Sequence, residues 1–288
     1  MDARLPWSRA LAKVSYTPIL THYAEKTKVF QECCYNKSMN WSRLQINHHI
    51  KAAKLLAIIN AEILNFIKNN PATSELQVQN FALNKLKQHK LKNEIAKPII
   101  AFRENTSEVH YFPTPKTNKK LKPGSLILID IWARLNISGA PYADMTWMAQ
   151  AKSSKSKLQT SKFKNHANTV FEARDKCLIH LKRELRNDRI PSGYELDAVA
   201  RNFIDRAGYA GRFLHGTGHE LGVSSPHGLG RKINPKNEYP IKINMGYTIE
   251  PGIYLDKELG ARTEIDFYID KNKKLVITTP VQKTLTII

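Results

Sequence analysis

Apolar residues between positions 46 and 70 recur at the three- and four-residue spacing of an amphipathic helix. This spacing predicts a helix that buries one face, and Pro71 is expected to end it. Thr73 or Ser74 is suited to cap a second helix that runs to about Lys87, because a hydroxyl can accept a hydrogen bond from an early backbone N–H. The apolar positions of the first helix are Ile50, Ala53, Leu56, Ile58, Ile59, Ile63 and Phe66.

The spacing then changes to that of β-strands. Residues 97–102 and 125–135 are rich in branched apolar side chains, which favour strands. The second of these segments is apolar on both faces, as expected of a strand that is buried on both sides. Residues 142–149 are predicted to be its hairpin partner, which places Asp144 close to Asp130.

A second round of helices and strands follows. Helical spacing returns over residues 167–185 and 194–207, and Gly208 is suited to end the latter helix. The order of helix, helix and strands therefore occurs twice, which predicts an α+β fold with two structurally similar halves whose antiparallel sheets face one site. Residues 1–45 show no clear period and are interpreted as an N-terminal arm. The last strand-like segments are 212–222, 244–255 and 261–270.

The composition indicates a globular protein in a reducing compartment. The chain has 288 residues, of which 42% are hydrophobic, enough for a substantial core. No apolar run reaches the roughly 18 residues that a membrane helix needs, and residues 1–16 lack the apolar stretch of a secretory signal. The three cysteines, Cys33, Cys34 and Cys177, are too few for a disulfide framework. We therefore expect a cytoplasmic protein without a membrane partner.

The net charge of +20, from 45 basic and 25 acidic residues, is unusually high. A charge of this size is typical of proteins that bind nucleic acids or anionic membrane surfaces. The lysines are dispersed along the chain, with the densest group at residues 152–166, so a solvated lysine-rich surface explains the charge better. Nucleic-acid binding stays open as the less favoured interpretation.

Four acidic residues and one histidine in the second half of the sequence carry the candidate chemistry. Each occurs in a short apolar or glycine-marked setting, where an unpaired charge would be costly to bury. Two divalent cations would cancel the four negative charges, and oxygen-rich ligation with one imidazole suits Mn, Co, Fe or Zn. Paired metals of this kind activate water for hydrolysis. The five residues are Asp130, Asp144, His219, Glu250 and Glu264.

Taken one at a time, several of these residues have simpler explanations. Asp130 could cap a strand end, and Asp144 or Glu250 could serve in turns. The segment HGTGHELG, residues 215–222, contains two histidines four positions apart, but its glycines argue against a helical zinc-binding pair. Those glycines indicate a close approach of the backbone beside a site. His227 follows shortly after, and three structural histidines are the alternative interpretation.

These motifs together resemble those of the pita-bread metallopeptidase family, which includes methionine aminopeptidase, Xaa-Pro aminopeptidase, prolidase and the metal-free creatinase. The resemblance covers about residues 46–275 and implies a pita-bread fold, with residues 46–288 as the catalytic domain. It implies two divalent metal ions, most readily Mn, held by the five residues above, and a peptide substrate with a free N-terminus. All five ligand positions are filled, which argues against creatinase-like chemistry. The matching motifs are LIDIWA, YADMTW, GTGHELG, TIEPGIYL and GARTEID.

The same resemblance implies roles for individual residues. His110 matches a histidine that contacts the substrate near the scissile bond, and His227 matches one that stabilises the tetrahedral intermediate. His215 matches a histidine of the proline-specific branch, and Glu250 is expected to act both as a metal ligand and as the general base. Further candidates beside the metals or in the pocket are Thr146, Arg262, Trp132 and Trp147.

Departures from the family pattern leave the substrate open. Asp130 and Asp144 are 14 residues apart, which is longer than usual, so the hairpin tip near residues 136–141 is expected to be extended. Trp132 stands where a small residue is usual, and Trp147 where an arginine is common. The motifs favour an Xaa-Pro aminopeptidase. No counterpart of the large N-terminal domain of many such enzymes is expected, which keeps methionine aminopeptidase as an alternative. A non-catalytic module that binds RNA or another polyanion is a further alternative, and a homodimer is also open.

Overall fold

The structure is a computed structural model that describes residues 40–94, 96–153 and 157–288. Residues 1–39 of the predicted arm, with Cys33 and Cys34, lie outside the described residues, as do positions 154–156 of the basic segment 152–166. Within the described ranges, no helix combines the length and apolar character that crossing a bilayer requires.

The first two helices begin at serine caps. Helix α1 spans Arg43–Asn69, and the Ser42 hydroxyl accepts a hydrogen bond from the Gln45 N–H at 3.2 Å. Helix α2 spans Glu75–Gln88 and begins in the same way at Ser74. Both predicted helices are confirmed. Helix α1 starts three residues earlier than its apolar spacing suggests, because a capping residue and not a hydrophobic one sets the first turn. Its first turn therefore falls within the residues interpreted as an arm.

A hairpin forms the centre of the first sheet. Strand β3 (Leu126–Leu135) pairs antiparallel with β4 (Tyr142–Gln150), as predicted. The other edge of β3 pairs with two short strands, β1 (Leu91–Lys92) and β2 (Ile99–Phe102). Residues 136–141 form the connection at the hairpin tip, beyond the paired residues of both strands. These elements and helices α1 and α2 make up the first half, residues 43–150.

The second half, residues 157–277, repeats the order of helices followed by strands. Helix α3 (Lys157–Arg186) begins about ten residues earlier than predicted, and helix α4 spans Gly193–Ile204. A short π-helical turn follows α4 and contains Gly208 at φ +91°, a backbone conformation that suits the predicted helix end. Strands β5, β8 and β9 form one antiparallel sheet, and β6 pairs with β7. These strands are β5 (Gly246–Ile249), β6 (Gly252–Leu255), β7 (Leu259–Arg262), β8 (Ile265–Ile269) and β9 (Leu275–Ile277).

The prediction of a strand over residues 212–222 is wrong, because this segment makes only isolated pairings. Gly218 lies so close to the chain of Thr248 that an added Cβ would be 2.1 Å from the Thr248 carbonyl oxygen. Backbone that packs this tightly against another segment of the same chain does not continue as a regularly paired strand. The isolated pairs join Gly218 to Ile233, Glu220 to Tyr247 and Leu221 to His227.

The last part of the described chain returns to the first half. Strand β10 (Thr286–Ile287) pairs in parallel with β4. The Gln282 side chain bonds both backbone groups of Met148, accepting from its N–H at 2.9 Å and donating to its carbonyl at 2.6 Å. The first sheet is therefore completed by residues that follow the whole second half.

The first sheet is buried on both faces, as predicted for β3. Its outer face, which includes Ile127, Ile129 and Ile131, packs with helices α1 and α2 in one hydrophobic cluster. Its inner face, which includes Leu126 and Leu128, packs with α3, α4 and the second-half strands in another cluster. The predicted α+β fold of two similar halves is confirmed, and the inner face of the first sheet lies against the second half.

Candidate metal centre

The hairpin places two carboxylates on its inner face. Asp130 lies opposite Thr146, and Asp144 lies opposite Trp132 two positions further along the ladder. Residues directly opposite each other share a face, as do residues two apart on one strand. Asp130 and Asp144 are 7% and 4% exposed. The expected proximity of these two residues therefore follows from the observed register.

In the second half, the Thr248 hydroxyl forms hydrogen bonds with both His219 and Glu250. The Thr248 hydroxyl accepts a hydrogen bond from the His219 N–H at 3.0 Å and donates to Glu250 Oε1 at 3.3 Å. His219 Nε2 lies 3.4 Å from the same Glu250 oxygen. The close approach at Gly218 thus brings the histidine beside a carboxylate at the end of β5.

Glu264 lies between β7 and β8 and links the two halves. The Thr146 hydroxyl of the first half donates to Glu264 Oε2 at 2.9 Å, and Glu264 Oε1 lies 4.0 Å from His219 Nε2. Ligand atoms of Asp144, His219 and Glu264 all lie within 4.8 Å of one another, a spacing that could hold a metal ion. Asp130 and Glu250 line the same cavity. The structure therefore brings the five predicted ligands together around one space.

His219 presents one ring nitrogen to the carboxylates. Its other nitrogen, Nδ1, donates to the Glu220 carbonyl at 3.1 Å. Burial, together with the positive charge nearby, lowers the pKa of His219 to about 3. The ring is therefore neutral near pH 7, with the Nε2 lone pair directed toward the carboxylates, which is the usual state of a metal-binding histidine.

Burial and mutual repulsion make the ionised forms of the carboxylates unfavourable. Burial raises the pKa of Asp144 and of Glu264 well above the ordinary value, and repulsion from neighbouring carboxylates raises both further. Burial also raises the pKa of Glu250 to about 7. The Oδ1 atoms of Asp130 and Asp144 are buried and accept no hydrogen bond from any described residue. Unpaired buried carboxylate oxygens beside one neutral imidazole nitrogen fit divalent cations of the Mn, Co, Fe and Zn type.

Arg262 is the cation that contacts this cluster. Its Nη2 donates to Asp130 Oδ2 at 2.5 Å, and its Nη1 donates to the Tyr254 hydroxyl at 3.0 Å. Tyr254 in turn donates to His215 Nε2 at 2.8 Å, while His215 Nδ1 donates to the Gly216 carbonyl at 2.8 Å. Burial lowers the pKa of His215 to about 3. His215 is therefore a neutral ring whose two nitrogens are both held by protein partners.

The ligands open into a cavity of about 410 Å³. His110 and His227 both line it, and the His227 ring lies 4.3 Å from that of His219 at an angle of 70°. The lining combines apolar residues of the first half, called here the apolar wall, with polar residues of the second half, called here the polar wall. The apolar wall contains Ala96, Ile99, Val109, Phe112 and Trp132, and the polar wall contains Ser225, His227, Lys232 and Asn234.

The two tryptophans proposed for the pocket lie on opposite faces of the hairpin. Trp132 shares the face of Asp130 and lines the cavity. The prediction that Trp147 belongs to the pocket is wrong, because its register opposite Ile129 directs it to the outer face. There its Nε1 donates to the Thr286 hydroxyl at 2.9 Å. Of the two tryptophans, Trp132 alone therefore borders the cavity.

Sequence reasoning missed three side chains at the site. Tyr254 connects Arg262 to His215, and its position within TIEPGIYL was an available signal. Lys232 lines the polar wall, but nothing local in the sequence marks it. Asp266 accepts a hydrogen bond from the Asp144 N–H at 2.8 Å and is fully buried. Its period-two relation to Glu264 was the available signal.

Comparisons with known proteins agree with this geometry. The sequence profile of metallopeptidase family M24 matches residues 47–271. An uncharacterised peptidase of Schizosaccharomyces pombe is 30% identical over 168 residues, which cover 58% of this chain and 34% of that protein. A protein named Xaa-Pro dipeptidase from Pyrococcus horikoshii is 31% identical over 160 residues, covering 54% of this chain and 40% of that protein. The chain therefore spans less than half the length of these two relatives.

A solved structure shows the same fold. The prolidase of Thermococcus sibiricus superposes with a TM-score of 0.75 at 23% identity, covering 95% of this chain and 71% of that one. The repeated order of helices and sheets is thus that of a pita-bread fold. Since the family profile covers most of the sequence, the chain belongs to metallopeptidase family M24.

Proposed function

We propose that this chain is a metal-dependent aminopeptidase or dipeptidase that removes an N-terminal residue, preferably one that precedes proline. The observation that carries the proposal is the convergence of four carboxylates and one neutral histidine on a single cavity. Burying four carboxylates without bound cations is energetically unfavourable, and a protein that only binds a partner would gain nothing from it.

We propose two divalent ions as the partners of this cluster, with Mn favoured over Co, Fe or Zn. Four ionised carboxylates carry four negative charges, and Arg262 offsets one of them through Asp130. The ligands proposed are Asp130, Asp144, His219, Glu250 and Glu264. When bound, such ions polarise a substrate carbonyl and lower the pKa of a water molecule to produce a nucleophile.

Glu250 is the proposed general base. It lines the cavity and is partly exposed to it, whereas the other three carboxylates are buried. The Thr248 hydroxyl orients its Oε1. From this position Glu250 would accept a proton from the attacking water and return it to the leaving amine.

The histidines have different proposed tasks. His110 and His227 face the cavity with exposed rings, so each can donate a hydrogen bond to the substrate carbonyl as charge develops on its oxygen. His215 donates its one ring N–H, at Nδ1, to the Gly216 carbonyl, and its Nε2 lone pair accepts from the Tyr254 hydroxyl. We propose that it acts by shaping the cavity wall and orienting Tyr254.

The preference for proline is supported by the apolar wall. Proline has no N–H, so a site that accepts it needs an apolar surface of the right shape more than a hydrogen-bond acceptor. Trp132, Ile99 and Phe112 provide such a surface beside the ligands. The relative named Xaa-Pro dipeptidase and the prolidase structure point to the same substrate class. We propose free peptides in the cytoplasm as substrates.

The decisive experiment compares Xaa-Pro peptides with Met-Ala and Met-Gly peptides after metal stripping and after reloading with Mn, Co or Zn. We expect cleavage of Xaa-Pro bonds only in the reloaded protein, with about two ions bound per chain. The His215→Ala variant should lose most of its preference for proline. Full activity in the stripped protein would refute the metal-dependent mechanism.

Two other outcomes would replace the proposal. Preference for methionyl peptides, unaffected by His215→Ala, would favour a methionine aminopeptidase. Absence of any cleavage, together with sub-micromolar RNA binding at physiological salt, would favour the non-catalytic polyanion-binding alternative. Charge-driven binding alone should be weak and should decline steeply with added salt.

A further inference from the structure

Glu75 is a buried carboxylate for which the proposed mechanism has no role. It is the first residue of helix α2 and is 0% exposed. Its oxygens accept hydrogen bonds from the Phe102 N–H at 2.6 Å and the Lys119 N–H at 2.7 Å. They also accept from the Tyr111 hydroxyl at 2.7 Å and from Asn105 Nδ2 at 3.0 Å. Because all four partners donate, an ionised carboxylate is the side chain that satisfies them.

The four donors belong to one segment, residues 102–119. Phe102 and Lys119 are its two ends, and Tyr111 is adjacent to His110 in the middle. The Lys119 carbonyl also accepts a hydrogen bond from the Glu75 N–H at 3.0 Å. One carboxylate therefore ties both ends of the segment to the residue beside His110.

Other residues of the segment contact second-half residues beside the candidate ligands. The Val109 carbonyl accepts a hydrogen bond from Arg262 Nη1 at 2.9 Å. The Thr106 hydroxyl accepts one from the Gly260 N–H at 2.8 Å, and an added Cβ on Gly260 would lie 2.0 Å from the Thr106 carbonyl oxygen. His110 directly follows Val109 and lines the cavity. The segment around it is therefore held by Glu75 and by the contacts with Arg262 and Gly260.

We propose that Glu75 is a positioning residue that fixes residues 102–119 so that His110 faces the cavity. The expected effect on catalysis rests on the proposed function, whereas the effect on the segment does not. Glutamine cannot replace this side chain, because each carboxylate oxygen accepts from a backbone N–H, of Phe102 or of Lys119. In either orientation the amide nitrogen would face one of these donors and leave it unpaired.

The test compares full-length Glu75→Gln with Glu104→Gln, a matched control in the same segment. Glu104 is partly exposed and pairs with Lys119 Nζ at 2.6 Å. Hydrogen exchange, bound metal, thermal unfolding and the hydrolysis of one Xaa-Pro peptide are measured for each. We expect amides of residues 102–119 to exchange on the order of 10-fold faster in Glu75→Gln only. Bound metal should remain at the wild-type level.

A double variant separates positioning from general destabilisation. Because a small misplacement of a reacting group costs up to about 100-fold in rate, Glu75→Gln should lower kcat as His110→Ala does. The double variant Glu75→Gln, His110→Ala should be no slower than His110→Ala alone. Losses that multiply in the double variant, or unchanged exchange over residues 102–119, would overturn the proposal.

Tyr111→Phe provides a second variant if Glu75→Gln folds poorly. It removes one donor to Glu75 and keeps the buried ring. Faster exchange centred on residues 109–112 is expected, and unchanged exchange would again overturn the proposal. If wild-type protein cleaves no peptide, the proposed function fails, while the exchange data still decide whether Glu75 holds the segment.

Discussion

The two halves of the molecule present their candidate ligands from different kinds of backbone. In the first half, Asp130 and Asp144 project from the regular β3–β4 hairpin, where the alternation of side chains fixes their common face. In the second half, His219 lies in a segment with only isolated pairings, and Glu250 and Glu264 lie just beyond strand ends. Strand register therefore positions the ligands of the first half, whereas close contacts between distant segments of the chain position those of the second.

The two kinds of backbone are also expected to differ in how much stability is lost when one contact is removed. A hairpin distributes its stabilisation over many ladder bonds and cross-strand pairs, so the loss of one contact leaves the others in place. The second-half segment depends on a few contacts that have no substitutes, such as the approach of Gly218 to Thr248. We therefore expect the second half to tolerate change less well near the ligands, although the loss of one ligand from either half is expected to be equally damaging to activity.

Equal contribution can be tested by removing one ligand from each half. Asp144→Ala and Glu264→Ala should each reduce kcat/KM by about a thousandfold or more, because metal polarisation contributes several kcal/mol to the transition state. Circular dichroism should show that both variants keep the fold. Substantial activity in either variant, with metal still bound, would mean that the halves do not contribute equally.

Unequal tolerance can be tested with two glycines. Gly218→Ala should destabilise the protein by about 3 kcal/mol, because its Cβ would meet backbone that cannot move aside. Gly139→Ala, at the hairpin tip, meets nothing within 4 Å and should cost only about 1 kcal/mol, for its φ of +71°. Urea unfolding of metal-free protein measures both values. Similar costs for the two variants would remove the proposed contrast.

A pH-dependent contact joins the halves at His49 of α1, whose Nε2 lies 4.0 Å from Asp266 Oδ2 in β8. Its Nδ1 donates to the Tyr142 carbonyl at 2.9 Å, and its Nε2 lies 2.7 Å from the Thr278 hydroxyl. Burial lowers the pKa of His49 to about 4, from 6.5 in an unfolded chain. The unfolded state therefore binds a proton as the pH falls below 6.5, while the folded state does not until about 4. The associated stability is present above pH 6.5 and is lost between these values.

The expected loss is about 2–3 kcal/mol between pH 7.5 and pH 4.5. It should be obtained as the difference between wild type and His49→Gln in metal-free protein, because the raised pKa values of the carboxylates act in the opposite direction. His48→Gln on the same helix turn serves as the control. If wild type and His49→Gln show the same pH dependence, His49 does not contribute in this way.

The smallest expected effect concerns one of the hydrogen bonds that join the halves, from Thr146 to Glu264. Thr146→Val removes the hydroxyl that donates to Glu264 Oε2 while keeping the shape of the side chain. Metal affinity should fall by about 10-fold, as is typical when a partner of a metal ligand is lost. Isothermal titration with Mn measures this change. An unchanged affinity would show that this hydrogen bond does not orient Glu264 for metal binding.

Sequence patterns could predict most of the regular half and part of the other. Apolar periodicity and serine caps indicate α1 and α2, and alternation along 125–135 and 142–149 indicates the hairpin. The same alternation, counted from Asp144, would also have placed Trp147 on the outer face. Trp147 therefore lies outside the pocket because it is an odd number of residues from Asp144 on the same strand.

The arrangement around His219 could not be derived from local patterns. Its irregular backbone is set by a contact between Gly218 and Thr248, which are 30 residues apart in the sequence. The hydrogen bonds of Glu75 to Lys119 and of Tyr254 to His215 likewise join segments that are distant along the chain. Such contacts depend on how the elements pack, so a motif can name the residues involved but not their partners.

The return of the chain from β9 to β10 affects the order of events during synthesis. At ~5–20 residues per second, Glu264 leaves the ribosome several seconds after Asp144, and β10 later still. Until then the edge of β4 has no partner from β10, and an uncovered strand edge can pair with other chains. Slow synthesis of the second half would therefore lengthen the time for which this edge is open to pairing with another copy of the chain.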